Sequence, residues 1–308
     1  MDIAVAIPCY NEELTVAKVV LDFKEALPEA KIYVFDNNSR DKTAEYAEKA
    51  GAIVIKSPRQ GKGYVIKHIF DTLSADYIVV CDGDDTYPAR SVLKLLEFSA
   101  AGADMVVGAR NIFESGAFRK FHKFGNKLVA FLISRLFSVK LTDILSGFRV
   151  FSRDFYKNVP LRAKGFEVET ELTLQGLAKN FVLVETPIEY GKRPEGSFSK
   201  LDTFSDGFLV LKSVFILFRD YKPLVFFSAL SAFFAVFTIL AGLAPIADYI
   251  RYKYVYHVPL AVLAIGLALL SGLSLASGII LNSIYRYHCE NYELFRKFMD
   301  RPTLNSRK

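Results

Sequence analysis

The chain has 308 residues, is 52% hydrophobic, and carries 39 basic against 33 acidic side chains, a net charge of +6. That length allows one or two domains, and an apolar excess gathered in the C-terminal third excludes an ordinary soluble chain throughout. Cys9, Cys81 and Cys289 have no metal-ligand spacing and form no disulfide framework, so reduced thiols on a cytosolic face are expected. Met1-Asp2 leads straight into a strand pattern, and no signal peptide is expected.

Short apolar, β-branched runs at residues 3–8, 31–35, 52–55, 77–81 and 104–108 read as strands. Helical patterns at 13–27, 41–50, 64–73 and 91–99 lie between them. Repeated βα units imply an α/β fold with a mostly parallel, Rossmann-like sheet and helices on both faces. Continuous hydrophobic strands suit burial on both sides. The turn after the first strand, Cys9-Tyr10-Asn11-Glu12, lacks glycine, so the dinucleotide fingerprint is absent. The phosphate-binding P-loop fails because Gly63 follows Gly61-Lys62 and Lys56 stands at the first glycine position. An EF-hand starting at Asp82 fails at Tyr87 and Leu93.

Asp82-Gly83-Asp84 follows the apolar run Tyr77-Ile78-Val79-Val80-Cys81. It therefore falls at a strand's C-terminal end, where open α/β sheets bind ligands. Carboxylates two residues apart in extended backbone point to one side, and together they suit a hard divalent cation, Mg2+ or Mn2+, on a diphosphate. Asp is also common in turns and caps, so the neighbouring loops decide. Pro8, Tyr10 and Glu12 follow the first strand, Asp36 ends the second, and Arg59 to Gly63 form a basic loop after the third. Tyr10 suits stacking on a base and Asp36 binding a ribose or base, while Glu12 doubles as a first-turn helix acid and Asp41 as a helix cap. Arg110, Arg149, Arg193 and Lys200 are candidate phosphate partners, each with an ordinary surface cation as the alternative. Arg149 stands in an apolar strand pattern at 147–151, where an unpaired guanidinium is costly, which favours a phosphate role. Glu167 and Glu171, four residues apart, share a helix face, so a solvated acidic face competes with a catalytic reading. The four histidines form no ligand pattern.

Residues 115–142 contain no Asp or Glu, and Phe121, Phe124, Leu128, Leu132 and Leu136 recur at helical spacing among basic side chains. A basic amphipathic helix at 118–139 reads as a membrane-surface element. Residues 206–218 repeat an amphipathic pattern, giving a juxtamembrane segment at 201–222. Residues 223–247 carry no charge and 254–285 no Asp, Glu, Lys or Arg; both exceed the length needed to span hydrocarbon. Basic residues before the first span and after the second place the 1–200 domain, the 286–308 tail and both termini in the cytoplasm. Gly272 with Ala276, and Ser274 with Gly278, suit close helix contact, including a homo-oligomer through the 223–285 hairpin. The basic residues flank apolar membrane patterns, which argues against nucleic acid as the partner.

The order Pro8-x-Tyr10-Asn11-Glu12, Asp36-Asn37-x-Ser39-x-Asp41-x-Thr43, Gly61-Lys62-Gly63 and Asp82-Gly83-Asp84 resembles the family-2 glycosyltransferases of GT-A fold. Downstream, Asp143-x-x-Ser146-Gly147-Phe148-Arg149, Gly165-Phe166-Glu167-x-Glu169 and Arg193-Pro194-x-Gly196-Ser197-x-Ser199-Lys200 resemble the polyprenyl- or dolichyl-phosphate sugar synthases. The likeness spans residues 3–222. It departs at Asp36-Asn37-Asn38-Ser39, where many relatives have Asp-Asp-Gly-Ser, and at Asp85-Thr86 after the metal motif.

This resemblance implies an inverting transferase moving a sugar from a UDP- or GDP-linked donor to a polyprenyl phosphate. It assigns Asp82 and Asp84 to the metal and Asp84, Asp143 and Arg149 to catalysis. Pro8, Tyr10, Glu12, Asp36, Lys62, Asp82, Gly83 and Arg110 fall to the nucleotide sugar, and Arg149, Arg193 and Lys200 to the acceptor phosphate. A lipid-hydroxyl acceptor is the alternative, and a non-catalytic membrane scaffold is a second. The absence of Trp argues against a processive polysaccharide synthase, whose Q-x-x-R-W motif needs one.

Overall fold

In the computed structural model, β1 (Ile3–Cys9) alternates its side chains between two cores. Ala4 and Ala6 pack with Phe35, Ile66, Ile69 and Phe151, while Val5, Ile7 and Cys9 pack with Val20, Phe23, Leu95 and Phe148. That period of two is the strand repeat; here both faces are apolar, as in a sheet covered by helices on both sides. The structure describes residues 1–110, residues 130–194 except 132, 136 and 138, residue 196, and residues 212–299 except 213, 214 and 217. The chain divides into two units, Met1–Val214 and Phe215–Lys308.

In the first unit, β1 is followed by α1 (Val16–Ala26), β2 (Lys31–Asp36), α2 (Thr43–Lys49), β3 (Ile53–Lys56), α3 (Lys62–Thr72) and β4 (Tyr77–Val80). Then come a 3-10 turn (Ala89–Ser91), α4 (Val92–Ala100), β5 (Met105–Arg110), β6 (Arg149–Ser152), α5 (Arg153–Asn158), α6 (Val168–Ala178) and β7 (Leu183–Ile188). The seven-stranded sheet has the order β3-β2-β1-β4-β6-β5-β7. All neighbours are parallel except β6, which runs antiparallel to both β4 and β5. The strand sequence reverses direction between β1 and β4, so the crevice at their C-terminal ends is the switch point at which open α/β sheets bind ligands. The Pro8–Glu12 and Asp82–Asp84 segments both lie there.

In the second unit, α7 (Pro223–Tyr252, 30 residues) and α8 (Val258–Met299, 42 residues) pack as a hairpin. At 1.5 Å per residue, α7 is about 45 Å long, beyond the ~30 Å of bilayer hydrocarbon. Both helices are long and apolar enough to cross a membrane, and large apolar side chains such as Phe233, Leu240, Ile265 and Leu273 stand exposed on them. Gly278 meets α7 so closely that a Cβ there would lie 2.8 Å from that of Phe227, whereas Gly272 has no neighbour within 4 Å. Within the hairpin, the close helix approach falls at Gly278. Ser231 and Ser271 hydroxyls bond across the hairpin at 3.0 Å, and Asp248 accepts from the Tyr256 and His257 amides, closing the connection. The basic stretch at 118–139, most of the 201–222 segment and the end of the tail lie outside the described residues.

Candidate active site

The loop after β4 is held from below and from the side. Thr15, just before α1, donates its hydroxyl to the Gly83 carbonyl at 2.6 Å. Gly83 itself packs on Cys9, whose Sγ would lie 2.5 Å from any Cβ, so only glycine fits. Cys9 and Cys81 are thus buried supports of the loop.

Asp84 is buried. Its Oδ1 accepts from the Thr86 hydroxyl at 2.6 Å and the Thr86 amide at 3.2 Å, and its Oδ2 meets the Arg193 guanidinium. Burial, and then the charge of Asp82, push the Asp84 carboxyl up from its ordinary value, while Arg193 pulls it down. Asp82 Oδ1 receives Lys62 Nζ at 2.6 Å. The same ammonium reaches Glu169 Oε1 at 2.6 Å and stands 5.8 Å from the Phe166 ring. Burial alone would lower the Lys62 pKa, but Asp82 and Glu169 outweigh it and raise it. Lys62 opens α3 just after Gly61, whose φ of +130° favours glycine. A Cβ on Gly61 would strike the Lys164 carbonyl at 2.2 Å, and one on Gly63 that of Ala163 at 2.3 Å. The basic loop is thereby pressed onto residues 163–165, which brings Lys62 between β4 and α6.

The nucleotide-side candidates are tied to one another. Asn37 donates to the carbonyls of Ser57 (3.0 Å) and Arg59 (2.7 Å) and accepts from the Gly61 amide at 2.8 Å, fastening the β2 and β3 loops together. Asp36 is buried, with Oδ1 accepting from the Ser39 amide. Glu12 is buried, and its amide donates to Thr43 at 2.8 Å. The Asn11 amide donates to Ser39, and Asp41 caps the Thr43 amide at 3.0 Å. Pro8 ends the same strand edge and Tyr10 is half-buried beside it. Lys200 lies outside the described residues.

Two of the candidates have their polar atoms engaged by other residues of the chain. Arg149 was the candidate catalytic and acceptor-phosphate cation, on the ground that an arginine in an apolar strand needs an anion. Its guanidinium instead points into the core, where Nε donates to the Ser146 carbonyl (2.9 Å), Nη1 to Thr173 (3.0 Å) and Nη2 to the Ile144 carbonyl. Neutral oxygens satisfy it, and burial lowers its pKa from the ordinary value. Asp143, also a catalytic candidate, is buried with both oxygens on Arg110, at 2.6 and 2.7 Å. The Arg110 guanidinium lies 5.5 Å from the Tyr190 ring centre. Glu185 accepts from the amides of Thr142 and Asp143 and so fixes that pair. Asp143 thus orients Arg110 in this geometry rather than presenting a free carboxylate.

Glu167 and Glu171 anchor backbone. Glu167 accepts from the Lys164 amide at 2.9 Å, and Glu171 from those of Arg162 and Ala163, the shortest at 2.7 Å. The acid of that motif facing the charged cluster is Glu169, which spacing alone did not single out. Its signal is the motif Gly165-Phe166-Glu167-x-Glu169, and the structure buries it with Thr170, Glu171, Thr173 and Gln175 in one helix. Gly147, quoted in the Asp143–Arg149 motif without a role, proves to lie against the site: a Cβ there would lie 2.2 Å from Asp82 Oδ2.

Asp82 and Asp84 offer hard oxygen donors; burial and then the Asp82 charge raise Asp84, and a cation bound there offsets both, so the pair fits Mg2+ or Mn2+. Among the described residues no third His, Cys, Asp or Glu joins them.

Residues 4–159 match the profile of glycosyl transferase family 2. The chain is 30% identical over 294 residues to glycosyltransferase AglJ of Haloferax volcanii, covering 94% of this chain and 95% of the relative. It is 29% identical over 213 residues to a dolichyl-phosphate hexose transferase of the same organism, covering 69% and 92%. In fold it resembles glucosyl-3-phosphoglycerate synthase from Mycobacterium tuberculosis, solved with Mn2+, UDP-glucose and phosphoglyceric acid, at a TM-score of 0.59 and 20% identity over 70% of this chain and 79% of that one.

Proposed function

The chain belongs to glycosyl transferase family 2, and on that premise we propose that it moves a sugar, a hexose or N-acetylhexosamine, from a UDP- or GDP-linked donor to a polyprenyl phosphate on the cytoplasmic leaflet. One observation carries the reading: a chain with two membrane-length helices also places Asp82 and Asp84, with Lys62 and Arg193 seated on them, at the switch point of its sheet. The relative named as a dolichyl-phosphate hexose transferase supports the acceptor, and the fold neighbour crystallised with Mn2+ and UDP-glucose supports the donor.

Transfer breaks the bond between the anomeric carbon and the nucleoside diphosphate and forms one to a lipid phosphate oxygen, with inversion. Asp82 and Asp84 would hold Mg2+ or Mn2+, which when bound would supply a Lewis acid for the leaving diphosphate. Lys62 adds fixed positive charge beside the bound donor diphosphate, and Arg193 adds it where the leaving group gathers negative charge. The incoming phosphate monoester carries about −1.5 to −2 charges at neutral pH and is already a nucleophile, so no side chain must take its proton. Membrane attachment raises the effective concentration of the lipid acceptor.

The test is a transfer assay with the purified full chain, polyprenyl phosphate and a panel of labelled nucleotide sugars. Transfer is expected with divalent cation and not in excess EDTA. Asp84→Asn should lose at least about 10²-fold, the scale of a lost electrostatic contact at the developing charge, with its bond to Thr86 retained. Full activity in EDTA, or transfer only to lipid hydroxyls, overturns the assignment. Topology has its own check. Basic residues before the first span and after the second support a cytoplasmic placement of both termini, so a cysteine probe at Tyr252 should label from outside and one at Ser306 should not.

A further inference from the structure

Lys62 is a largely buried ammonium, 13% of its side chain exposed, shared between two carboxylates at equal 2.6 Å distances, Asp82 on the β4 loop and Glu169 on α6. Those partners differ. Asp82 is partly exposed, at 26% of its side chain, and sits at the crevice; Glu169, at 6%, does not. Glu169 also has capacity to spare. Its Oε2 is buried and finds no hydrogen-bond partner among the described residues. Beside it lies a cavity of about 10 Å3 walled by Lys62, Gly147, Arg149, Phe151, Glu169 and Leu172, room for a single water. A buried carboxylate oxygen without a partner is costly, and this one is open to a water at rest or to the Lys62 ammonium when Asp82 leaves it.

We propose that Glu169 is a positioning residue that holds Lys62 in the crevice wall when Asp82 turns to the donor. The inference rests on the transferase reading above. With Glu169 in place, Asp82 can leave Lys62 without stranding a buried ammonium, because one of its two partners stays and offers a second oxygen. Without it, Lys62 depends on Asp82 alone, and the carboxylate is drawn into a closed pair just where donor binding needs it. Glu169 therefore acts through Lys62 on Asp82, and touches no substrate.

The experiment uses the full chain in detergent and crosses Glu169→Gln with Lys62→Met. Glu169→Gln is expected to raise the KM for the nucleotide sugar about tenfold with kcat within about threefold, since binding a donor and not the chemical step bears the loss. Glu169→Asp, which keeps the charge, should recover most of that affinity. In the Lys62→Met background, Glu169→Gln should change nucleotide affinity by less than about twofold, because a residue acting only through its neighbour is non-additive with it. Thermal unfolding reads the same pair without any turnover. Lys62→Met strands the Glu169 charge and lowers Tm, and adding Glu169→Gln should restore several degrees, as removal of the orphaned partner of a buried pair does.

Equal losses from Glu169→Gln in both backgrounds, a fall in kcat with unchanged KM, or a further drop in Tm in the double variant overturns the proposal. A wild-type chain that transfers no sugar to lipid phosphate, with the Tm coupling intact, overturns instead the transferase reading.

Discussion

Replacing Gly147 by alanine should remove transfer while leaving the fold nearly untouched. Gly147 follows the turn into β6, and its amide donates to the buried Tyr87 hydroxyl at 3.1 Å. A Cβ at this position would stand 2.2 Å from Asp82 Oδ2 and 2.7 Å from its carboxyl carbon, and a contact that short cannot exist. Something must yield. The backbone of Gly147 is tied to Tyr87, whose ring packs edge-on to Phe148 and Tyr190, so the Asp82 carboxylate moves. In moving it leaves Lys62 and the position it shares with Asp84. The energetic cost to the fold is small, because a partly exposed side-chain end can rotate into solvent. The cost to chemistry is large, about 10²–10³-fold in kcat/KM if one preorganised charge-stabilising group is lost. Transfer rate and thermal unfolding measured together decide it. Gly147→Ala with more than a tenth of wild-type activity would mean that the Asp82 position does not matter.

Where sequence patterns and structure agree, the information is local. The strands at the start of the chain were visible because each is a short apolar run between turn residues, and the Asp82–Asp84 loop because it follows such a run. Two helices long enough for a bilayer were visible from uninterrupted apolar composition. Strand pairing is not local. Nothing in residues 147–151 says that β6 runs antiparallel and slides between β4 and β5, setting Arg149 opposite both Val80 and Val107. Glu169 was hidden for a different reason. Helix α6 buries polar residues on several sides, including Glu169, Glu171, Thr173 and Gln175, so periodicity offers no face from which to choose. Glu171 was legible as an acid on that helix, yet its carboxylate is spent on the 162–163 amides, partners that only the path of the preceding loop could reveal. Gly272 and Gly278 have like sequence surroundings, and only the line of contact along α7 separates them.

Arg149 is the case in which pattern and contact diverge furthest, and it carries the other large effect. Truncation to alanine should prevent the first unit from folding stably. The guanidinium is among the largest fully buried side chains, and it satisfies the carbonyls of Ile144 and Ser146 and the hydroxyl of Thr173. Removing it leaves three buried acceptors without donors, at about 1–3 kcal/mol each, together with a cavity in the range of about 2–5 kcal/mol. Such a sum is comparable to the whole stability of about 5–15 kcal/mol of a typical domain. Arg149→Lys keeps one donor group but loses the fork that reaches oxygens on both sides, so it should fold with Tm lowered by several degrees and with the KM for acceptor nearly unchanged. That pairing of results separates a structural cation from a phosphate clamp. Were Arg149→Lys to melt like the wild type while the acceptor KM rose tenfold or more, the guanidinium would have to swing from the core to the lipid phosphate during turnover, and the buried arrangement would be only its resting state.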